Sequence, residues 1–154
     1  LKRKMIEEIH ANLLNEKSGI LVHGVNCRGK MNAGIALQIR QMYPSVYIDY
    51  TDFWGKSFKY PSSLLGQVVY TRISQKLTIA SAFTQLNYSY SEQKEVSYDA
   101  VDNAFCDINK YAFKNNLIVK FPKIGCGLGG GDWKIISTII EQNKQESVRH
   151  ILFV

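Results

Sequence analysis

The chain has only 3 prolines and 3 cysteines in 154 residues. So few prolines leave long stretches free to form helices and buried strands. Cys27, Cys106 and Cys126 are odd in number and widely spaced, which argues against a disulfide framework. They read as buried, reduced thiols of a cytoplasmic protein. There is no CxxC or HxxxH pair, so a metal cluster of Cys27, Cys126 and His23 has little sequence support, and neither metal nor cofactor is expected. No run approaches the roughly 20 apolar residues of a membrane-spanning helix. The opening LKRKMIEEIH has basic residues but no apolar stretch behind them, and does not read as a signal peptide. Internal repeats, low-complexity tracts and linkers are also missing, so residues 1–154 are expected to form a single domain.

What is present is an ordinary globular composition with a basic excess. The net charge of +6 comes from 19 basic and 13 acidic side chains and points to an anionic partner: a nucleotide, a phosphorylated ligand or nucleic acid. Apart from Lys2, Arg3 and Lys4 the basic residues are scattered, and no nucleic-acid-binding motif appears, so nucleic acid is the weakest of the three.

Apolar runs alternate with helical patterns from end to end. GILVHGV (19–25) reads as a buried strand. Ile35, Ala36, Ile39, Met42 and Tyr43 fall at helical spacing after Gly34, and Pro44 stops that helix. SVYIDYTDFW (45–54) reads as a second helix, with an aromatic content that also suits a strand. LGQVVYTRI (65–73) and KLTIASAFTQ (76–85) are two strands joined by a turn at Ser74–Gln75. Polar YSYSEQKEV (88–96) is a loop. Ser97 caps a helix whose apolar stripe is Tyr98, Val101, Phe105, Ile108 and Ala112. LIVKFP (117–122) is a strand, Asp132 begins a last helix, and VRHILFV (148–154) closes the chain as a strand. This alternation predicts a layered α/β domain with a mostly parallel sheet.

Five of the 11 glycines fall in IGCGLGGGDW (124–133), between a strand and a helix start. Glycine lets backbone N–H groups approach a ligand closely, and a helix N-terminus adds unpaired N–H groups and a positive dipole end. The same strand–loop–helix order occurs earlier, where ILVHGVN leads through CRGKMNAG into GIALQIRQMYP. Two such loops at strand C-terminal ends predict one anion cradle suited to a diphosphate. Neither loop is a Walker A sequence, and neither is a GxGxxG with a suitably spaced acid.

HGVNCRGKMNAGIALQIRQMYP, followed about a hundred residues later by FPKIGCGLGGGDWKII, resembles the macro domain family. The likeness is to the branch of small proteins containing ADP-ribose 1″-phosphate phosphatases and some ADP-ribosyl hydrolases. It implies a three-layer α/β/α sandwich with a mixed, mostly parallel sheet that binds ADP-ribose across the strand ends. Position by position, it implies adenine recognition at Asn12 and Leu13, with Phe153 packing on the ring. Asn26 would meet the distal ribose. Met31, Asn32, Ala33, Gly34 and Ile35 would form the first phosphate loop, and Ile124, Gly125, Cys126, Gly127, Leu128, Gly129 and Gly130 the second. Asn32 and Ala33 stand where relatives more often have small glycine-like positions. Cys27 and Cys126 are read as fillers rather than nucleophiles.

Turnover would need a proton-handling group near the distal ribose. His23 and Asp132 are the candidates, together with Asn26 to orient water; a core histidine and a helix N-cap are their structural alternatives. A lysine-dependent route used elsewhere in the family is disfavoured, because Thr84 and Gln85 occupy the corresponding place and Lys94 lies further along. The expected function is hydrolysis of ADP-ribose 1″-phosphate or a related ADP-ribosyl ester by a monomer. The alternative is a module that reads ADP-ribose or its polymer without turnover. Further partners would be ADP-ribosylated protein or nucleic acid, and no membrane.

Overall fold

The computed structural model describes residues 5–88, 95–127 and 129–154. Lys2, Arg3, Lys4, Lys94, Leu128 and most of the loop read at 88–96 lie outside the described residues.

Six strands form one sheet in the order β1-β6-β5-β2-β4-β3. They are β1 (Glu7–Ile9), β2 (Gly19–Asn26), β3 (Val68–Arg72), β4 (Leu77–Gln85), β5 (Val119–Phe121) and β6 (His150–Phe153). All neighbours pair in parallel except β3 and β4, the hairpin foreseen around Ser74–Gln75. The C-terminal ends of five strands therefore share one edge. The four α-helices are α1 (Gly34–Met42), α2 (Pro44–Gly55), α3 (Tyr98–Asn115) and α4 (Trp133–Asn143).

The phase of the strand side chains sets the layers. Leu21, Val25, Ile79 and Phe83 share one core with Ile39 of α1 and with Val46 and Tyr50 of α2. Ile20, Val22, Ala80 and Ala82 share the other with Val101, Phe105 and Ile108 of α3 and with Ile136 and Ile140 of α4. Alternate residues point to opposite faces, so helices cover both sides of the sheet and the molecule is a three-layer α/β/α sandwich. Fully burying each large aliphatic or aromatic side chain contributes about 1.5–3 kcal/mol.

Local signals position the helices as the sequence indicates. Pro44 ends α1 and supplies the first turn of α2. Ser97 accepts the N–H of Ala100, and Asp132 that of Lys134, each as an N-cap. The three-residue strand β1 carries no periodic signal. It is held by pairing with β6, where Ile9 is opposite Phe153. Among the described residues no helix is long and apolar enough to cross a membrane, and no group of three or more potential metal ligands occurs.

Candidate functional site

An open crevice of about 280 Å³ lies at the C-terminal ends of β5, β2 and β4. Its floor includes Asn26 at the end of β2 and Gln85 at the end of β4. Met31 to Ala36 form one wall, and Ile124, Gly125, Gly127 and Gly129 form the other. The two glycine-bearing loops thus face each other across one groove. The charged side chains among the described lining residues are Lys30 and Lys123, one from each side, and none is acidic. Both lysines went unnoticed in the sequence because they stand singly among loop residues.

The first wall is built from behind by α2. Tyr47, Tyr50 and Trp54 lie at i, i+3 and i+7 on one face of that helix. The Tyr50 hydroxyl donates to the Asn26 carbonyl at 2.7 Å, the Trp54 indole N–H to the Cys27 carbonyl at 2.9 Å, and the Tyr47 hydroxyl to the Gly29 carbonyl at 3.4 Å. Gly29, at φ 75°, sits beneath the Trp54 ring, and a Cβ there would come within 3.0 Å of it. The loop's N–H groups are held as well, that of Cys27 by the Leu86 carbonyl at 3.0 Å and those of Arg28 and Lys30 by Asn26 Oδ1 at 2.9 and 3.4 Å, so the loop is fixed from both sides.

Asn26 is the joint of this wall. Its Oδ1 accepts the N–H of Arg28 at 2.9 Å and the Tyr50 hydroxyl at 3.0 Å, while its Nδ2 donates to the Lys30 carbonyl at 2.8 Å. Its oxygen is thereby committed to loop geometry, and one N–H of Nδ2 is left for the crevice. Helix α1 begins at the rim with Ala33 as its N-cap and no side chain capping it. Its first-turn residues Gly34, Ile35 and Ala36 line the groove, and the opening turn of a helix carries N–H groups without intrahelical partners.

The second wall depends on close backbone approach. Gly129 accepts N–H bonds from Glu95 at 2.8 Å and Val96 at 3.1 Å. A Cβ at Gly129 would come within 2.7 Å of the Gly125 carbonyl oxygen.

Of the expected site residues, Asn26, Met31, Asn32, Ala33, Gly34, Ile35, Ile124, Gly125, Gly127 and Gly129 line this one crevice. Cys126 and Gly130 belong to the same loop but do not line it. Phe153 ends β6 and Asn12 and Leu13 follow β1 at the same sheet edge, all three outside the crevice lining. Asn12 accepts the Leu14 N–H at 3.0 Å as the cap of a short 3-10 turn, and Leu13 and Phe153 are buried in the α1–α2 core.

His23 is not brought to the crevice. It is fully buried three residues before the end of β2, and its Nε2 bonds Ser81 Oγ at 2.7 Å. Its Nδ1 has no partner among the described residues. Burial without a counter-charge holds its pKa down to about 3. The sheet is covered on both faces at this point, so a mid-strand residue is interior whichever way it points. Asp132 is exposed and caps α4, away from the crevice lining. Burial also pushes the Cys27 thiol up to about 11 and raises that of Cys126, which removes thiolate character from both.

The profile of the Macro domain family matches residues 22–140, and the chain belongs to that family. The ADP-ribose 1″-phosphate phosphatase of Saccharomyces cerevisiae (strain YJM789) is 27% identical over 166 residues, covering 89% of this chain and 92% of that protein. A DNA ADP-ribosyl glycohydrolase of Thermus aquaticus is 25% identical over 141 residues, covering 90% of this chain but 37% of that protein. Among solved structures, the macrodomain of Mycobacterium tuberculosis DarG matches 97% of both chains with a TM-score of 0.81 at 23% identity.

Proposed function

We propose that the crevice binds ADP-ribose and that the protein hydrolyses ADP-ribose 1″-phosphate, or a closely related ADP-ribosyl ester, at the distal ribose. The observation that carries the reading is the convergence of both glycine loops on one groove flanked by Lys30 and Lys123, with no acidic side chain among the described lining residues. Backbone donors and two cations neutralise a diphosphate. A groove of about 280 Å³ takes the diphosphate and the distal ribose. The adenine then runs along the neighbouring strand ends toward Asn12 and Phe153. The phosphatase and glycohydrolase relatives support an ADP-ribosyl substrate.

In the hydrolysis, water adds to the 1″-phosphate, and ADP-ribose and inorganic phosphate leave. Asn26, with a free N–H at the floor, orients water or the ribose. The proton-handling role considered for His23 passes out of the reading because its ring is sealed in the core. The cap role of Asp132 accounts for that carboxylate. The same two placements favour a second reading, a module that binds ADP-ribose without turnover.

Calorimetric titration with ADP-ribose, with AMP and NAD as controls, tests the ligand, and phosphate release from ADP-ribose 1″-phosphate tests turnover. Binding of ADP-ribose but not NAD, with phosphate released, is the expected result. Binding without release leaves the reader module, and no binding of ADP-ribose removes both. Tyr50→Phe should weaken ADP-ribose binding by about ten-fold, because Asn26 loses the one hydroxyl proton shared by its carbonyl and Oδ1 while the ring keeps its stack on Phe83 at 5.5 Å. Unchanged affinity in a folded variant would show that α2 does not position this loop.

A further inference from the structure

Asn26 and Gln85 are register partners at the ends of adjacent strands, so two carboxamides stand side by side on the crevice floor. Loop 26–30 takes up the oxygen of the first. The second is only half used. Gln85 Nε2 donates to the Asn87 carbonyl at 2.7 Å, and Asn87 is held in turn by Arg28, whose Nε donates to its Oδ1 at 2.8 Å. A carboxamide is planar, with donor and acceptor on opposite prongs, so anchoring the NH2 group fixes where the oxygen points. Gln85 Oε1 lies toward Gly129, 3.1 Å from the place a Cβ would take there, and no described residue donates to it. It is an acceptor beside the second loop, on a half-buried residue that lines the crevice.

A carbonyl oxygen at this place attracts an O–H and repels a phosphate oxygen, the opposite preference to the N–H groups and lysines of the walls. We infer that Gln85 Oε1 accepts a hydrogen bond from a hydroxyl of the sugar that follows the diphosphate, and so separates a diphosphate that carries a ribose from one that does not. This rests on the ADP-ribose reading above. A carboxamide neither titrates nor attacks in this range, so Gln85 orients the sugar and takes no part in bond making.

Two deletions test the contact, one on each side. Gln85→Met keeps the length of the side chain and removes the acceptor. By calorimetry it should bind ADP-ribose about ten-fold more weakly than wild type, with ADP affinity unchanged within about two-fold. On the ligand side, wild-type protein should lose about ten-fold for one of two ADP-ribose analogues, deoxygenated at the 2″ or the 3″ position. The methionine variant should be indifferent to that same change. Equal losses for ADP-ribose and ADP in the variant, or wild type that tolerates both deoxy analogues, would overturn the assignment. Wild type that fails to bind ADP-ribose at all would instead remove the reading on which it rests. The analogue arm uses the native chain, so it stands even if the variant does not fold.

Discussion

Gly129→Ala is expected to weaken ADP-ribose binding by about 100-fold while the domain stays folded. The added Cβ would lie 2.7 Å from the Gly125 carbonyl oxygen, which is backbone and already accepts the Gly131 N–H at 2.7 Å. That oxygen cannot swing aside without breaking the loop closure. Gly129 cannot retreat either, because its own carbonyl holds the N–H groups of Glu95 and Val96. The strain therefore opens the wall of the crevice. Overpacking of this kind costs up to about 3 kcal/mol, and that amount is about 100-fold in affinity. The loop touches the α3–α4 core only at its edge, through Ile124, Val96 and Cys126, so the melting temperature should fall by only a few degrees. Calorimetry beside a thermal melt separates the two effects. Affinity retained within about three-fold would detach the second loop from ligand binding.

Acidification should remove most of the stability of the protein between about pH 6.5 and 4. His23 and His150 are both buried, with pKa values lowered by desolvation to about 3 and about 4. Each has one ring nitrogen without a described partner, so a second proton would be sealed in without an acceptor. An unfolded histidine titrates near 6.5. Below that pH the unfolded chain binds protons that the folded one refuses, so stability is fully present above about pH 6.5 and falls as pH drops toward the folded values. At roughly 1.4 kcal/mol per pH unit, each histidine removes about 3 kcal/mol by pH 4.5. Two such losses approach the roughly 5–15 kcal/mol total of a typical domain. The exposed Glu7–Arg149 pair, at 2.8 Å, acts in the same direction but only below the carboxylate range. The urea midpoint should therefore be clearly lower at pH 5 than at pH 7. Equal midpoints would show that the two rings are not buried uncharged.

Much of this architecture was legible in local chemistry. Pro44 marks the junction of α1 and α2, Ser97 and Asp132 mark helix starts, and the periodic stripe of α3 gives its buried face. The two strand–loop–helix units were enough to foresee a shared groove. His23 was drawn toward that groove because the strand containing it ends there. The unbroken apolar run around it was the contrary signal, since a strand buried on both faces leaves no open side. Strand β1 is three residues long and exists through its pairing with β6, which no local pattern encodes. The aromatic residues of α2 made that segment look ambiguous as a helix. Their spacing makes sense only once the loop they hold is seen beside them. Lys30, Lys123 and Gln85 are brought together by topology, from positions with no common motif.

Helix α1 starts on Ala33, a residue with nothing to offer its opening turn. Serine or aspartate in that place would finish the helix from within and would also put a side chain at the rim of the crevice. The protein instead leaves that opening turn uncapped, and on the ADP-ribose reading proposed above a bound diphosphate would accept its N–H groups. Ligand occupancy and folding would then be coupled through the first turn of α1, and the melting temperature would rise with ligand concentration.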